Sequence, residues 1–525
     1  MIREIIVVFI CLVGGLIPIQ AKLTPDLARD ILTEMYQKMG NFQVAQPTIL
    51  ISQDETHIAT FDPSSNEIVI EQKAVNVCES FGNQSENALA FLIGHELTHC
   101  YQQVSWVTNY LSFNFTMGSN TEKERMADIR GAFAARLAGY DTRLVVETLI
   151  EKLYEEYNLM GKTLVGYPPL EERKQTATYV TEQADELWHI YQTATYTTIL
   201  EKYELAIQNY LYLSNYYSGR EVYNNLGLLY AQLAMTVSGK NYDSLLYPLE
   251  LDTETRILNA RDKGQLNLPE LEIRQEFLNK ADDYFLLAQK ADPNYFQAYL
   301  NRLCIKNLSG QEQEVIEEYQ SGGIESFLKK NQASVRERGS IRLAVAIAFA
   351  ISSQDKASHM STAKSLFDEL ITHSDPQVQK LARFNSEVLE GNSDRRGQSV
   401  RCALASPSNP AFDNISLMDY LQKPTKSLDK DRDAEFYWEQ LDLATVYLAK
   451  WLGESYFLKR VNTPGIAAPG NIRVGYRAQV LLQQADKQSH QIIPSSQGYF
   501  IHFPACNVIF RVDQKGKIAE WVSYL

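Results

Sequence analysis

Cysteine, histidine and long apolar runs are all scarce in this chain of 525 residues. Six cysteines are too few and too scattered to form a disulfide framework, so the fold must rest on hydrophobic cores. Twenty-six glycines and seventeen prolines exclude collagen-like and low-complexity architectures. A basic excess is missing as well. Fifty Lys plus Arg stand against sixty-four Asp plus Glu, and the net charge of −14 opposes a surface that could neutralise phosphates, so no nucleic-acid partner is expected. The one long apolar run, from Ile5 to Ile19, is too short for a comfortable bilayer span but suits the core of a signal peptide.

Arg3 supplies the positive charge before that run, and Ala21 supplies the small residue for cleavage. A signal peptide over 1–21 and a mature chain starting at Lys22 are therefore expected, with an uncleaved N-terminal anchor as the alternative. Either way the body of the chain is expected outside the cytoplasm, periplasmic or secreted, near a membrane at most and with no transmembrane helix in the mature chain. Its cysteines are Cys78, Cys100, Cys304, Cys402 and Cys506. Cys78 and Cys100 bracket one helix, where two buried thiols are expected and a bridge is the alternative.

What the chain has in quantity is apolar and aromatic surface, 45% and 11% of its residues, enough for several cores. Three strands are predicted near the start: Thr48 to Ser52, His57 to Phe61 and Glu67 to Glu71. The last two form a hairpin through Asp62-Pro63-Ser64-Ser65-Asn66. From Glu86 the period becomes helical, with Leu89, Leu92, Ile93, Leu97 and Cys100 on one face, and a second helix runs from Glu122 to Ala138 and stops at Gly139. Between about 190 and 395 nearly every signal is helical. Tyr223, Leu226, Gly227 and Tyr230 match the first helix of a tetratricopeptide repeat, and Ala281, Phe285, Ala288 and Pro293 match its second, with an insertion over Gly239 to Glu270. Ala363 and Phe367 repeat the second-helix pattern; a generic helical bundle is the alternative. A polar linker is expected over 396–430, then an amphipathic helix from Asp431 to Gly453, and finally a terminal hairpin turning at Asp513-Gln514-Lys515-Gly516.

The residues with the most chemistry are His95-Glu96-Leu97-Thr98-His99. Two His four apart lie one above the other on a helix, so both imidazoles can reach one metal ion while the Glu between them addresses a water. A catalytic zinc takes a third protein ligand and keeps one position open. Glu124 is the natural third ligand, at the start of the second helix. Asp128, one turn on, is placed to accept the spare N–H of a ligating His.

Taken together, these segments resemble the HtpX and CAAX-prenyl-protease type zinc metallopeptidases of the gluzincin clan over about residues 30–180. The matching features are the strand from Asn66 to Gln72, Glu86-Asn87-Ala88-Leu89-Ala90 leading into His95-Glu96-x-x-His99, Glu124-x-x-Ala127-Asp128, Ala138-Gly139-Tyr140-Asp141 and Pro168-Pro169-x-Glu171-Glu172-Arg173. The resemblance implies a single zinc ion held by His95, His99 and Glu124, with Glu96 as catalytic base. Periplasmic members join such a peptidase to tetratricopeptide repeats and act in outer-membrane protein quality control. Two features depart from the family. The stretch from His99 to Glu124 is short, and Tyr167 stands where relatives carry a His before the Pro-Pro pair. A phenol is a poor zinc ligand but a good donor to developing negative charge, so Tyr167 is expected to stabilise the transition state, with an ordinary packing aromatic as the alternative.

The expected architecture is an α+β zincin-like metallopeptidase domain over 22–190, an all-α solenoid of repeats over 196–395 and a C-terminal module with a β-hairpin over 431–525. The expected activity is zinc-dependent endoproteolysis of extended or misfolded proteins, which would add as a strand along Asn66 to Gln72. The repeats would recruit clients or protein partners. The competing expectation is a non-catalytic scaffold or assembly factor with a latent zinc site.

Overall fold

The computed structural model describes residues 23–55, 57–102, 120–160, 170–237, 245–249, 268–353, 356–391, 404, 414–429, 434–484, 490–495 and 498–525. The predicted signal segment and Tyr167 lie outside them. The fold is mixed, with helices through the middle of the chain and β-structure at its C-terminal end. It divides into two compact units: the first takes the described residues of 23–35, 46–102 and 120–183, and the second takes 36–45 and the described residues of 184–525.

The first unit contains a three-stranded sheet of β1 (Thr48–Ser52), β2 (Ala59–Asp62) and β3 (Glu67–Glu71), in the order β1-β3-β2. β1 runs parallel to β3, pairing Thr48 with Glu67, and β2 runs antiparallel to it, pairing Asp62 with Glu67. The expected hairpin is therefore present. Asp62 Oδ1 accepts from Ser64 N at 2.8 Å, Asn66 adopts a left-handed φ of 52°, and both tighten the turn. β2 begins two residues later than expected because Ile58 has φ 60°, which ends extended backbone there. One expectation fails here. β3 is the central strand, hydrogen-bonded on both sides, so Asn66 to Gln72 offers no edge to an incoming chain.

Ile68 and Ile70 are fully buried on one face of β3. In the same unit lie α1 (Pro25–Met39, through Met35), α2 (Gln72–Glu79), α3 (Ser85–Gln102), α4 (Asn120–Ala138) and α5 (Val146–Glu156). Gly139, just past α4, takes φ +102°, which stops the helix where the sequence places its end.

The second unit holds the helices from Tyr203–Ser214 to Pro376–Leu389 and a sheet of eight antiparallel strands. The predicted repeat residues Tyr223, Leu226 and Gly227 lie on Arg220–Thr236, and Ala281, Phe285 and Ala288 on Leu268–Ala291. These helices pack closely: a Cβ on Gly227 would fall 2.7 Å from the Phe285 ring.

The C-terminal end departs most from expectation. In place of a helix from Asp431 to Gly453 there are β5 (Ala434–Gln440) and β6 (Thr445–Trp451). In place of a single hairpin there is a sheet ordered β4-β5-β6-β7-β11-β10-β9-β8, built with β4 (Lys426–Asp429), β7 (Glu454–Val461), β8 (Gln491–Ser495), β9 (Gly498–Phe503), β10 (Val508–Asp513) and β11 (Ile518–Tyr524). The reason is legible in the residue types. β5 and β6 are rich in β-branched and aromatic residues, and alternation buries Ala434 and Phe436. β4 comes from the stretch expected to be linker and pairs with β5. The expected turn at Asp513 to Gly516 does join β10 to β11, with Asp513 Oδ1 accepting from Lys515 N at 2.9 Å and Lys517 N at 2.8 Å.

Cys78, Cys100 and Cys304 are buried and reduced, and Cys506 is disulfide-bonded. Burial pushes the Cys78 thiol far above its ordinary pKa and raises that of Cys100 to about 11, so neither is a reactive thiolate at neutral pH. Thiol titration of the denatured, unreduced mature protein should count three thiols, those of Cys78, Cys100 and Cys304. A count of five would remove the disulfide, and a count of one would place a bridge between Cys78 and Cys100.

Candidate metal centre

α3 and α4 carry the chemistry, and two glycines let them touch. A Cβ on Gly94 would lie 2.7 Å from the Gly131 carbonyl oxygen, and one on Gly131 would lie 2.5 Å from the Gly94 carbonyl carbon. Neither helix could approach this closely with any side chain at the crossing. Gly131 is seven residues, about two helical turns, after Glu124 and three after Asp128, so all three share the face of α4 turned toward α3. Next to Gly94 sits His95. The crossing thus brings together ligand residues of the two helices that are 25 positions or more apart in the chain.

His95, His99 and Glu124 each offer a ligand atom within 4.8 Å of the others, a group that could hold a metal ion. His95 Nε2 is 3.0 Å from His99 Nε2 and 3.2 Å from Glu124 Oε2, and His99 Nε2 is 3.6 Å from Glu124 Oε1. Asp128 stands where the spacing places it: its Oδ1 is 2.6 Å from His95 Nδ1. A carboxylate only accepts, so Nδ1 carries the proton and Nε2 faces the centre with its lone pair. His95 and Asp128 are both buried.

Such a cluster is short of positive charge. Glu124 Oε2 is buried and meets no well-aligned hydrogen-bond donor, while two imidazole nitrogens crowd the same space. Electron pairs this close require a proton or a cation between them. Without a metal, a second proton on His95 serves. Burial alone would lower its pKa, but the charge and hydrogen bond of Asp128, with help from Glu124 and Glu96, push it up to about 10. Burial raises the Glu124 carboxyl, and the two histidines more than offset this, holding it far below the ordinary carboxylate range. Two nitrogens and one carboxylate are the donor set of a catalytic zinc site, so the residues fit that ion.

Glu96 is buried beside these ligands without being one of them. Burial pushes its pKa up, against the pull of His95 and His99 and, more weakly, of the nearby Phe61 backbone of β2. A buried carboxylate next to a group that could hold a metal ion is the kind of residue that can serve in proton transfer. Gly131 stands outside the motifs, yet a glycine inside a helix, costing roughly 1 kcal/mol, is a signal in the sequence that something packs against it. No motif points to the Phe61 backbone near Glu96 either, because that proximity depends on a strand and a helix meeting in space.

Comparisons with family models, with curated proteins and with solved structures find no match to this chain. The family resemblance therefore stands on its motifs. Of these, the described residues include the helix entry, both histidines, Glu96, Glu124, Asp128 and Ala138 to Asp141, whereas Tyr167, Pro168 and Pro169 fall outside them.

Proposed function

We propose that this chain is an exported zinc-dependent metalloendopeptidase acting on extended or misfolded protein chains. The observation that carries the reading is the convergence of His95, His99 and Glu124 with a buried, non-ligating Glu96 beside them. Bound to the three ligands, zinc would acidify a water molecule and polarise a scissile carbonyl. Glu96 takes the water's proton on its carboxylate and delivers it to the leaving amine. Asp128 holds His95 in the ligating tautomer.

Of the sheet's two edge strands, β2 packs against α3, the helix that carries Glu96, so an incoming chain is assigned to β2 rather than to β3. A chain added alongside Ala59–Asp62 would bind through its backbone, which tolerates many sequences and favours unfolded clients. The disulfide at Cys506 supports an oxidising compartment, in keeping with the signal-like N-terminus. The helices of the second unit would recruit clients or partners, leaving bond cleavage to the first.

The test is zinc analysis of the purified mature protein together with casein degradation before and after chelation. About one zinc per chain is expected, with cleavage that chelation stops and added zinc restores. Zinc-free protein that does not take up the ion would overturn the reading.

A further inference from the structure

His95 has Asp128 behind it, and His99 needs a counterpart. Gln102, the last residue of α3, supplies one. Its Oε1 lies 2.9 Å from His99 Nδ1, and its Nε2 donates to the Lys123 carbonyl oxygen at 3.2 Å. Lys123 immediately precedes Glu124 on α4. A carboxamide has one accepting end and one donating end, and a backbone carbonyl can only accept. The end of Gln102 facing Lys123 must therefore be its NH2, which turns its oxygen toward His99. That oxygen in turn requires His99 Nδ1 to carry the proton, leaving the Nε2 lone pair directed at His95 Nε2, 3.0 Å away, and Glu124 Oε1, 3.6 Å away.

We propose that Gln102 is a positioning residue: one amide sets the ligating tautomer of His99 and ties the end of the helix bearing both histidines to the backbone next to Glu124. The inference rests on the metal site proposed above. It explains why a neutral residue occupies this position. A divalent cation offsets part of the charge of Glu96, Glu124 and Asp128, and an amide orients His99 without adding a further negative charge.

Two variants test this, each read as zinc affinity by chelator competition and as the visible absorption spectrum of the cobalt-substituted protein. Gln102→Leu keeps size and helix propensity but can neither accept nor donate. It is expected to weaken zinc binding roughly 10- to 100-fold and to alter the cobalt spectrum. Gln102→Glu keeps an acceptor for His99 Nδ1 and is expected to recover most of that factor, though it loses the tie to Lys123. The melting temperature of both metal-free variants is expected to match that of metal-free wild type, which separates ligand positioning from folding. Zinc binding by Gln102→Leu as tight as wild type, or a Gln102→Glu no better than Gln102→Leu, would overturn the proposal. Failure of the wild type itself to bind zinc would instead sink the metal reading on which it rests.

Discussion

Glu96→Gln is expected to retain its zinc and to lose casein hydrolysis by roughly a hundred- to ten-thousandfold. The two halves of this result come from different atoms. The ligand atoms belong to His95, His99 and Glu124, none of which the substitution touches. Glutamine has the shape of glutamate and fills the same buried space, so the packing of β2 on α3 is preserved. What disappears is the group that can take a proton and return it. His99→Ala and Glu124→Ala should behave differently, losing metal and activity together. Casein cleavage by Glu96→Gln at the wild-type rate would remove Glu96 from the mechanism. Zinc-loaded wild type with no hydrolysis would favour the scaffold reading, with the site latent.

The second large effect concerns stability, far from the metal. Glu520, on β11, has no exposed surface and accepts from Arg460 Nε at 2.8 Å, from Arg511 Nε at 3.0 Å and from the Tyr196 hydroxyl. Burial raises the Glu520 carboxyl, and the two guanidiniums overcome this and hold it at about 2. Tyr196 lies on the helix Leu170–Ile199, so the cluster joins that helix to β7, β10 and β11. Glu520→Gln should cost about 3–5 kcal/mol, because Arg460, nearly as buried, keeps its charge and loses its partner. Arg511 is about a third exposed and adds less, since water screens it.

The pH dependence has a definite sign. Glu520 has its folded pKa below the ordinary value of 4.5, so its contribution is complete above that value and is lost as pH falls from 4.5 through about 2. Urea unfolding at pH 7 and at pH 3 should thus show a smaller gap between wild type and variant at the lower pH. A difference under about 1 kcal/mol at pH 7 would mean the arginines find water or other partners when Glu520 is neutralised.

The candidate metal ligands were legible because their spacing is local. His95 and His99 are one turn apart on any helix, as are Glu124 and Asp128, and a helical period around each pair is enough to put them on shared faces. The β2–β3 hairpin was legible for the same reason, since Asp62 to Asn66 make their turn from their own side chains. Helix ends such as Gly139 likewise depend on a single residue's backbone freedom.

Pairing between distant segments is another matter. Whether β3 is an edge or a centre depends on β1 joining it from the far side, a parallel neighbour that no turn announces. The segment from Asp431 to Gly453 has an apolar pattern that suits a helix in isolation. It becomes β5 and β6 because the strands beside it satisfy its backbone and bury Phe436, Val446 and Leu448. The centre itself shows the same division. Local spacing puts two imidazoles on α3 and two carboxylates on α4, but only the contact of Gly94 with Gly131 brings the helices close enough to make four side chains one site. Gln102 reads as an ordinary helix-end residue until Lys123 arrives from across that contact, because a hydrogen bond between helices depends on a distance that neither helix alone specifies.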